Sequence, residues 1–312
     1  MRWVTYRTRD GGERAGLVVD GQIHALGDDT RLIDLLGDDG ERMMAAAEQA
    51  VADPRQVVAL DGADLAPPLR PPQIRDFLCF LDHLRNVVSA AGMDMDPAWE
   101  QIPGFYFSSV STVVGPHDPV RISPGCQQFD FELEVAAIIG KGGANLDPDE
   151  AHSHIAGFML FCDWSARDLQ MFEMKLSLGP AKGKDGANTL GPALVTADEL
   201  ADFRSGGSYA LEMKGYVNDD LVSKGSMDQM DWSWGEVVAY ASRGNPLLPG
   251  DAICSGTVPT GCLIEHFAVE GPERFRGWLQ PGDVVRLEVQ ELGAIRQEVL
   301  PAEPVHRLRT GH

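Results

Sequence analysis

The run 131-FELEVAAII-139 carries Glu132 and Glu134 inside an otherwise apolar stretch, and that combination restricts what the chain can build. On a strand, alternate side chains point the same way, so the two carboxylates share one face while Phe131, Leu133 and Val135 pack on the other. Their roots stand roughly 6–7 Å apart, within joint reach of one cation and close enough to repel each other without one. A solvated strand face bearing two acids is the plainer alternative, but the AAII that follows is ill suited to an exposed edge. An all-oxygen site favours magnesium, manganese or calcium over zinc, and carboxylates alone do not choose among those three.

A third candidate ligand is Asp163, which closes the apolar run 155-IAGFMLFC-162. Strand ends commonly present groups to a cleft. The Ser165-to-Asp168 spacing just beyond it suits a helix cap, so Asp168 reads as scaffold. In 147-DPDE-150 an N-cap, a proline and a capping-box glutamate likewise mark the acids as structural rather than metal-binding.

The segment 77-FLCFLDHLRNVV-88 reads as a mainly apolar helix. If that helix begins early enough, Asp76 and His83, about two turns apart, share a face. His83 is then either a satisfied core histidine or a base facing a cleft. Further on, 179-GPAKGKDGANTLGP-192 is too polar and glycine-rich for core, and it has neither phosphate-loop spacing nor a dinucleotide fingerprint. Its lysines are donors to a charged substrate or, alternatively, solvated loop residues.

Composition narrows the partners. The chain is 44% apolar over 312 residues without any apolar stretch approaching a membrane span, so a sizeable core and a soluble, cytoplasmic protein with no membrane partner are expected. Residues 1-MRWVTYRTRDGGERAG-16 read as a first strand and turn rather than a signal segment. Asp and Glu outnumber Lys and Arg by 47 to 26, a formal charge of −21, with no compensating basic patch. Nucleic acid is therefore excluded, and an anionic small substrate needs locally assembled cations or a metal. Cys79, Cys126, Cys162, Cys254 and Cys262 contain no CxxC pair and read as small buried hydrophobes rather than disulfides. A nucleophilic cysteine paired with His83 is the alternative.

The order of elements indicates a small N-terminal domain over residues 1–70 and a catalytic domain over 71–312, divided at 68-PLRPP-72. The first contains short strands around the Asp20-Gly21 turn, a helix over 41-ERMMAAAEQAVA-52 and a strand from Val57 to Leu60. Near the end, 281-PGD-283 and the alternating 284-VVRLEV-289 point to further antiparallel strands. The expected class is mixed α/β, predominantly β, rather than a repeated βαβ fold.

Taken together, 76-DFLCFLDHLRNV-87, 129-FDFELEVAAIIG-140, 162-CDWSARDLQ-170, the Gly-Pro-to-Lys stretch ending at Lys184, 251-DAICSGTVPTGC-262 and 281-PGDVV-285 closely resemble the fumarylacetoacetate hydrolase family. The resemblance implies a mixed β-roll catalytic domain, a homodimer and a magnesium-, manganese- or calcium-dependent site, with magnesium the first choice. Residue by residue, Glu132, Glu134 and Asp163 resemble the family's metal carboxylates, and Asp76 the additional metal-binding aspartate of the fumarylacetoacetase branch. His83 resembles that branch's catalytic histidine and Glu265 its orienting carboxylate. Lys184 resembles the lysine that stabilises oxyanion charge, although Lys182 matches the spacing used in another branch. Tyr106, Gln170 and Thr257 are similar to residues that contact substrate, and Arg167 is read as a loop organiser.

What the resemblance implies for activity is carbon–carbon bond hydrolysis of a 1,3-dicarbonyl acid such as an acylpyruvate, with a small anionic oxoacid as partner. A metal-dependent decarboxylase, isomerase or hydratase of a 2-oxo or enol acid is the alternative within the family, and noncatalytic small-acid binding the alternative outside it. The chain departs from the fumarylacetoacetase pattern at Gly186, where an aromatic residue is usual, at Met174, which replaces a substrate-facing tyrosine, and at Gly92, where that branch has a substrate-binding arginine.

Overall fold

A twelve-stranded sheet runs through the protein, and the carboxylates lie near its centre. The computed structural model describes residues 1–90 and 92–309, so the last three residues of the expected catalytic domain lie outside it. From one edge the main path of the sheet passes through strands Gln56–Ala59, Gln22–Ala25, Glu13–Val19, Arg2–Arg7, Ala187–Thr196, Ile155–Ala166, Phe129–Ile139, Ala252–Cys254, Ile74–Phe77 and Phe105–Ser108. A second, five-stranded sheet contains Glu212–Val217, Val284–Val289 and Gly293–Leu300, paired antiparallel as the alternating 284–289 pattern predicts. The mixed, strand-dominated class is the observed one.

Residues 1–70 join this sheet rather than forming one of their own. Trp3 pairs with Leu194 across the contact between the first strand and Ala187–Thr196. The helix expected over 41–52 is present as Glu41–Ala52, with Met43, Ala47 and Ala50 buried at helical spacing.

Every residue of the Phe129–Ile139 strand is buried. Phe129, Phe131, Leu133, Val135, Ala137 and Ile139 enter the larger core together with Leu287, Ile295 and Val299 of the second sheet. On the opposite face Ala136 and Ile138 enter a smaller core with Leu32, Leu35 and Met43. Glu132 and Glu134 belong by alternation to that second face, at the end the smaller core does not fill. Burial of Phe131, Leu133 and Val135 contributes about 1.5–3 kcal/mol each, which helps offset the cost of carrying two carboxylates inside.

Three local expectations need correction. Asp76 does not sit on an early helical turn: it lies on the strand Ile74–Phe77, and the helix starts only at Leu81. The apolar run 77–81 satisfies a buried strand end and the connection after it, which periodicity alone cannot tell from a buried helix. Asp163 does not end its strand, because pairing with Phe129–Ile139 continues to Ala166. Nor does Ser165 cap the following helix: Ala166 is the N-cap residue, and the Ser165 hydroxyl accepts from Lys184.

Candidate active site

Strand register brings the acids together. Glu132 is the direct partner of Asp163 across the antiparallel pair, and Cys254 joins that pair to Asp76 by pairing with Ala136 on one side and Asp76 on the other. A carboxylate oxygen from each of Asp76, Glu132 and Glu134 lies within 4.8 Å of the other two. Asp163 stands beside them, its Oδ2 accepting from Lys184 Nζ at 2.8 Å and from the Tyr106 hydroxyl. The Tyr106 hydroxyl oxygen also lies 2.7 Å from Asp76 Oδ2, and its single proton serves one of the two carboxylates at a time. Among the described residues, the Oδ1 atoms of both Asp76 and Asp163 are buried with no hydrogen-bond partner.

Two cations face these acids. Lys184 Nζ donates to Glu132 Oε2 at 2.5 Å, to Asp163 Oδ2 at 2.8 Å and to Ser165 Oγ at 2.8 Å. An ammonium has three donors, and all three are engaged. Arg167 donates to Asp130 Oδ2 at 2.8 Å and to Glu132 Oε1 at 2.7 Å, and it reaches Gln170 Oε1 at 3.2 Å. Arg167 thus organises the site as well as the loop.

Electrostatics divides the carboxylates. Burial pushes the Asp76 and Glu134 carboxyls well above the usual range, Asp76 being raised further by Asp163 and Glu134 by Asp76. Asp163 is also raised by burial, which Lys184 only partly opposes. Burial pushes Glu132 up too, but Lys184 and then Arg167 outweigh it and hold Glu132 below the usual range. With Asp130 included, five buried carboxyl groups stand against two cations, which leaves a net demand for positive charge at this point.

That demand fits a hard divalent ion. The donors are all oxygen, one from each of Asp76, Glu132 and Glu134 converges within 4.8 Å, and among the described residues the Oδ1 atoms of Asp76 and Asp163 are buried without a partner. Gly256 completes one wall: its amide donates to Glu134 Oε2 at 3.0 Å, and at φ 77° a Cβ there would meet the Phe77 carbonyl oxygen at 2.2 Å. Only glycine allows that approach.

His83, on the helix Leu81–Ala90, meets Glu265, on the helix Leu263–Glu270. Its Nδ1 lies 2.7 Å from Glu265 Oε2, which also accepts from the Thr260 amide at 2.8 Å, while Glu265 Oε1 accepts from Asn86 Nδ2 at 2.6 Å. Thr260 takes a left-handed φ of 66° to present that amide. Among the described residues no hydrogen bond engages His83 Nε2, and His83 is near enough for its charge to act on Glu132.

The remaining expected residues are placed unevenly. The Thr257 hydroxyl has no partner among the described residues, although the residue is only 4% exposed. Gln170 is partly buried beside Arg167. Lys182 is not drawn in: its side chain is 76% exposed and pairs with Asp185 at 2.8 Å. All five cysteines are free and buried, as their apolar surroundings predict.

Sequence reasoning passed over Asp130, read Ser165 as a helix cap rather than a partner of Lys184, and missed the roles of Asn86 and of the Gly256 and Thr260 amides. Asp130 continues the two-residue period of Glu132 and Glu134, Ser165 that of Asp163, and Asn86 follows His83 by three on a helix. Those three carried a signal. The two amides carried none, because backbone direction in a loop is not written in side-chain type.

Residues 73–300 match the fumarylacetoacetate (FAA) hydrolase C-terminal family. Mitochondrial oxaloacetate tautomerases of Xenopus laevis and Homo sapiens are each 31% identical to the chain, covering 84% of it and 76% and 77% of their own lengths. A fumarylacetoacetate hydrolase from Exiguobacterium antarcticum superposes with a TM-score of 0.72 at 26% identity, over 96% of this chain and 99% of that one. No helix among the described residues is long and apolar enough to cross a membrane. A family match running from just before the Asp76 strand to the last strand of the second sheet, joined to these identities, makes the chain a member of the fumarylacetoacetate hydrolase superfamily, a family of metal-dependent hydrolases and isomerases.

Proposed function

We propose that the protein is a divalent-metal-dependent hydrolase that cleaves a carbon–carbon bond in a 1,3-dicarbonyl acid, such as an acylpyruvate or a fumarylacetoacetate-like compound. The observation that carries this reading is the His83–Glu265 contact at 2.7 Å, which leaves Nε2 unengaged close to an acidic, cation-ready cluster. Asp76, Glu132, Glu134 and Asp163 would hold the ion, magnesium first and manganese or calcium next. When bound, it supplies Lewis acidity toward substrate oxygens.

The chain's own residues account for the proton movements. Glu265 accepts from Nδ1 and so holds His83 in the tautomer whose Nε2 lone pair is available. Nε2 takes a proton from water as the water oxygen attacks a carbonyl carbon. Collapse of the tetrahedral adduct breaks the carbon–carbon bond, and the departing enolate recovers the proton from His83, leaving two smaller acids or oxoacids. Lys184 keeps Glu132 ionised and in place and contributes positive potential beside the reacting oxygen. A direct oxyanion bond from Lys184 requires one of its three present bonds to be released. Tyr106, Gln170 and Thr257 are the proposed substrate contacts, and the working assembly is a homodimer.

The naming of the animal relatives as oxaloacetate tautomerases favours a second reading, in which the same dyad moves a proton between carbon and oxygen of a 2-oxo acid without water attack. Product mass separates the readings. Protein loaded with magnesium or manganese, with a metal-free control, is incubated with acylpyruvates, fumarylacetoacetate and 2-oxo acids including oxaloacetate. Two fragments whose masses sum to substrate plus water support hydrolysis. Unchanged mass with altered keto–enol exchange supports tautomerisation, loss of carbon dioxide supports decarboxylation, and binding with no conversion across the panel rejects the enzyme reading. A solution mass that stays monomeric across working concentrations rejects the homodimer.

A further inference from the structure

Cys262 takes no part in the mechanism above, yet it stands beside the dyad. One ligand atom from each of His83, Cys262 and Glu265 lies within 4.8 Å of the other two, and all three residues are buried. Cys262 occupies the N-cap position of the helix Leu263–Glu270, where Ser, Thr, Asp or Asn ordinarily spends its side chain on the first free amides. Here Asp130 does that from a neighbouring strand, accepting from the Leu263 amide at 2.7 Å and the Ile264 amide at 3.0 Å. The Cys262 thiol makes no capping bond and no hydrogen bond to any described residue, and the residue is 0% exposed. It is a buried, unspent sulfur facing an imidazole and a carboxylate.

We propose that His83, Cys262 and Glu265 form a second cation site, selective for a thiophilic divalent ion such as Zn²⁺ or Cd²⁺, and that filling it disables the dyad. One nitrogen, one sulfur and one oxygen donor suit zinc and its congeners, whereas the all-oxygen set of Asp76, Glu132 and Glu134 suits magnesium, manganese or calcium. The two sites therefore sort cations by softness. Binding converts the thiol to a thiolate and commits an imidazole lone pair, so the thiol proton, and any proton on the liganding ring nitrogen, leaves to solvent. An ion held there occupies the base and its orienting carboxylate together. The inhibitory consequence rests on the base role proposed for His83, but occupation of the site does not.

The test uses the full chain with Mg²⁺ in saturating excess, so that the all-oxygen cluster is engaged. Cd²⁺ is titrated in while the ultraviolet thiolate-to-cadmium charge-transfer band is recorded. The wild type is expected to show a saturable band from a single thiolate. Cys262→Ser and Cys262→Ala are expected to lose the band and weaken Cd²⁺ binding by at least about tenfold, the loss that even an outer-shell partner causes, with Mg²⁺ affinity unchanged. No band in the wild type, or the same band in both variants, overturns the site. Should neither variant fold, X-ray absorption on the Cd²⁺-loaded wild type decides: one sulfur among nitrogen and oxygen neighbours supports the site, and a shell without sulfur overturns it. If the thiolate band forms while turnover is undiminished, the inhibitory half of the proposal and the base role of His83 both fail, and the cation site stands.

Discussion

Lys184 Nζ lies 2.5 Å from Glu132 Oε2, with the lysine side chain 3% exposed and the glutamate 8%. Burial disfavours the ammonium, but Asp163 and Glu132 outweigh it and hold Lys184 protonated above its usual range. The lysine is in effect an internal counter-ion for the carboxylate cluster. Lys184→Met is therefore expected to destabilise the metal-free protein by about 3–5 kcal/mol, the usual result of leaving a buried charge unpaired. Chemical denaturation with and without Mn²⁺ checks this: added cation should recover part of the loss, and an unchanged midpoint in metal-free buffer would contradict the counter-ion role.

The dyad makes a kinetic prediction. His83→Ala is expected to lower turnover by about 10²–10⁴-fold, the range of a general base. Glu265→Gln should also lower it, because the amide brings no charge and offers one acceptor oxygen where the carboxylate meets donors on both oxygens. Metal content measured on both purified variants should match the wild type. A metal-replete His83→Ala protein with full turnover would remove His83 from the mechanism.

The pH dependence of stability follows from Asp76 and Glu134. Burial first, and carboxylate neighbours second, raise both above their ordinary values of 3.8 and 4.5. Groups raised in the folded state contribute stability that is complete below those ordinary values and lost as pH climbs through the raised ones. Glu132, held down by Lys184 and Arg167 against its burial, acts in the opposite sense: its contribution is complete above its ordinary value of 4.5 and is lost progressively as pH falls from there through the lowered one. The metal-free protein should thus lose melting temperature as pH rises above the ordinary carboxylate range. A bound cation favours the ionised forms, so the gap between loaded and chelated protein should widen over the same interval. A gap independent of pH would count against metal binding by these carboxylates.

Behind the site, Arg75 and Asp251 form an ion pair at 3.2 Å in which both side chains are 0% exposed. Among the described residues, Arg75 Nε and Nη2 and Asp251 Oδ1 have no hydrogen-bond partner. Such a pair is incompletely compensated, and its loss is asymmetric. Arg75→Met or Asp251→Leu alone should cost about 3–5 kcal/mol by stranding the other charge, while the double variant should recover most of that. Equilibrium unfolding of all four proteins supplies the cycle, and additive losses would show that the two residues do not act as a pair.

Much of this was legible from residue order. Two acids at a spacing of two within an apolar run specify a strand with a carboxylate face, because alternation is a property of the backbone itself. The Glu41–Ala52 helix and the antiparallel 284–289 strand were readable for the same kind of reason. Where the reading failed, two backbone states shared one pattern: the apolar residues after Asp76 serve a buried strand end as well as a buried helix, and Asp163 looked terminal because polar residues follow it inside a strand whose polar face is itself buried.

By itself, then, the sequence determined the elements and the chemical character of their faces: a carboxylate strand, an acidic chain without a basic patch, and the residue types of a metal-dependent family. Tertiary structure alone decided the pairings. Asp76 meets Glu132 and Glu134 through the short strand Ala252–Cys254, antiparallel to the glutamate strand and parallel to that of Asp76, Lys184 spends every donor on protein oxygens while Lys182 remains outside, and Cys262 is freed because Asp130 caps its helix. The physical reason is range: local sequence sets dihedrals and periodicity over a few residues, whereas each of these contacts joins groups brought together by sheet register and burial, and buried charge takes its state from whichever neighbours the fold supplies.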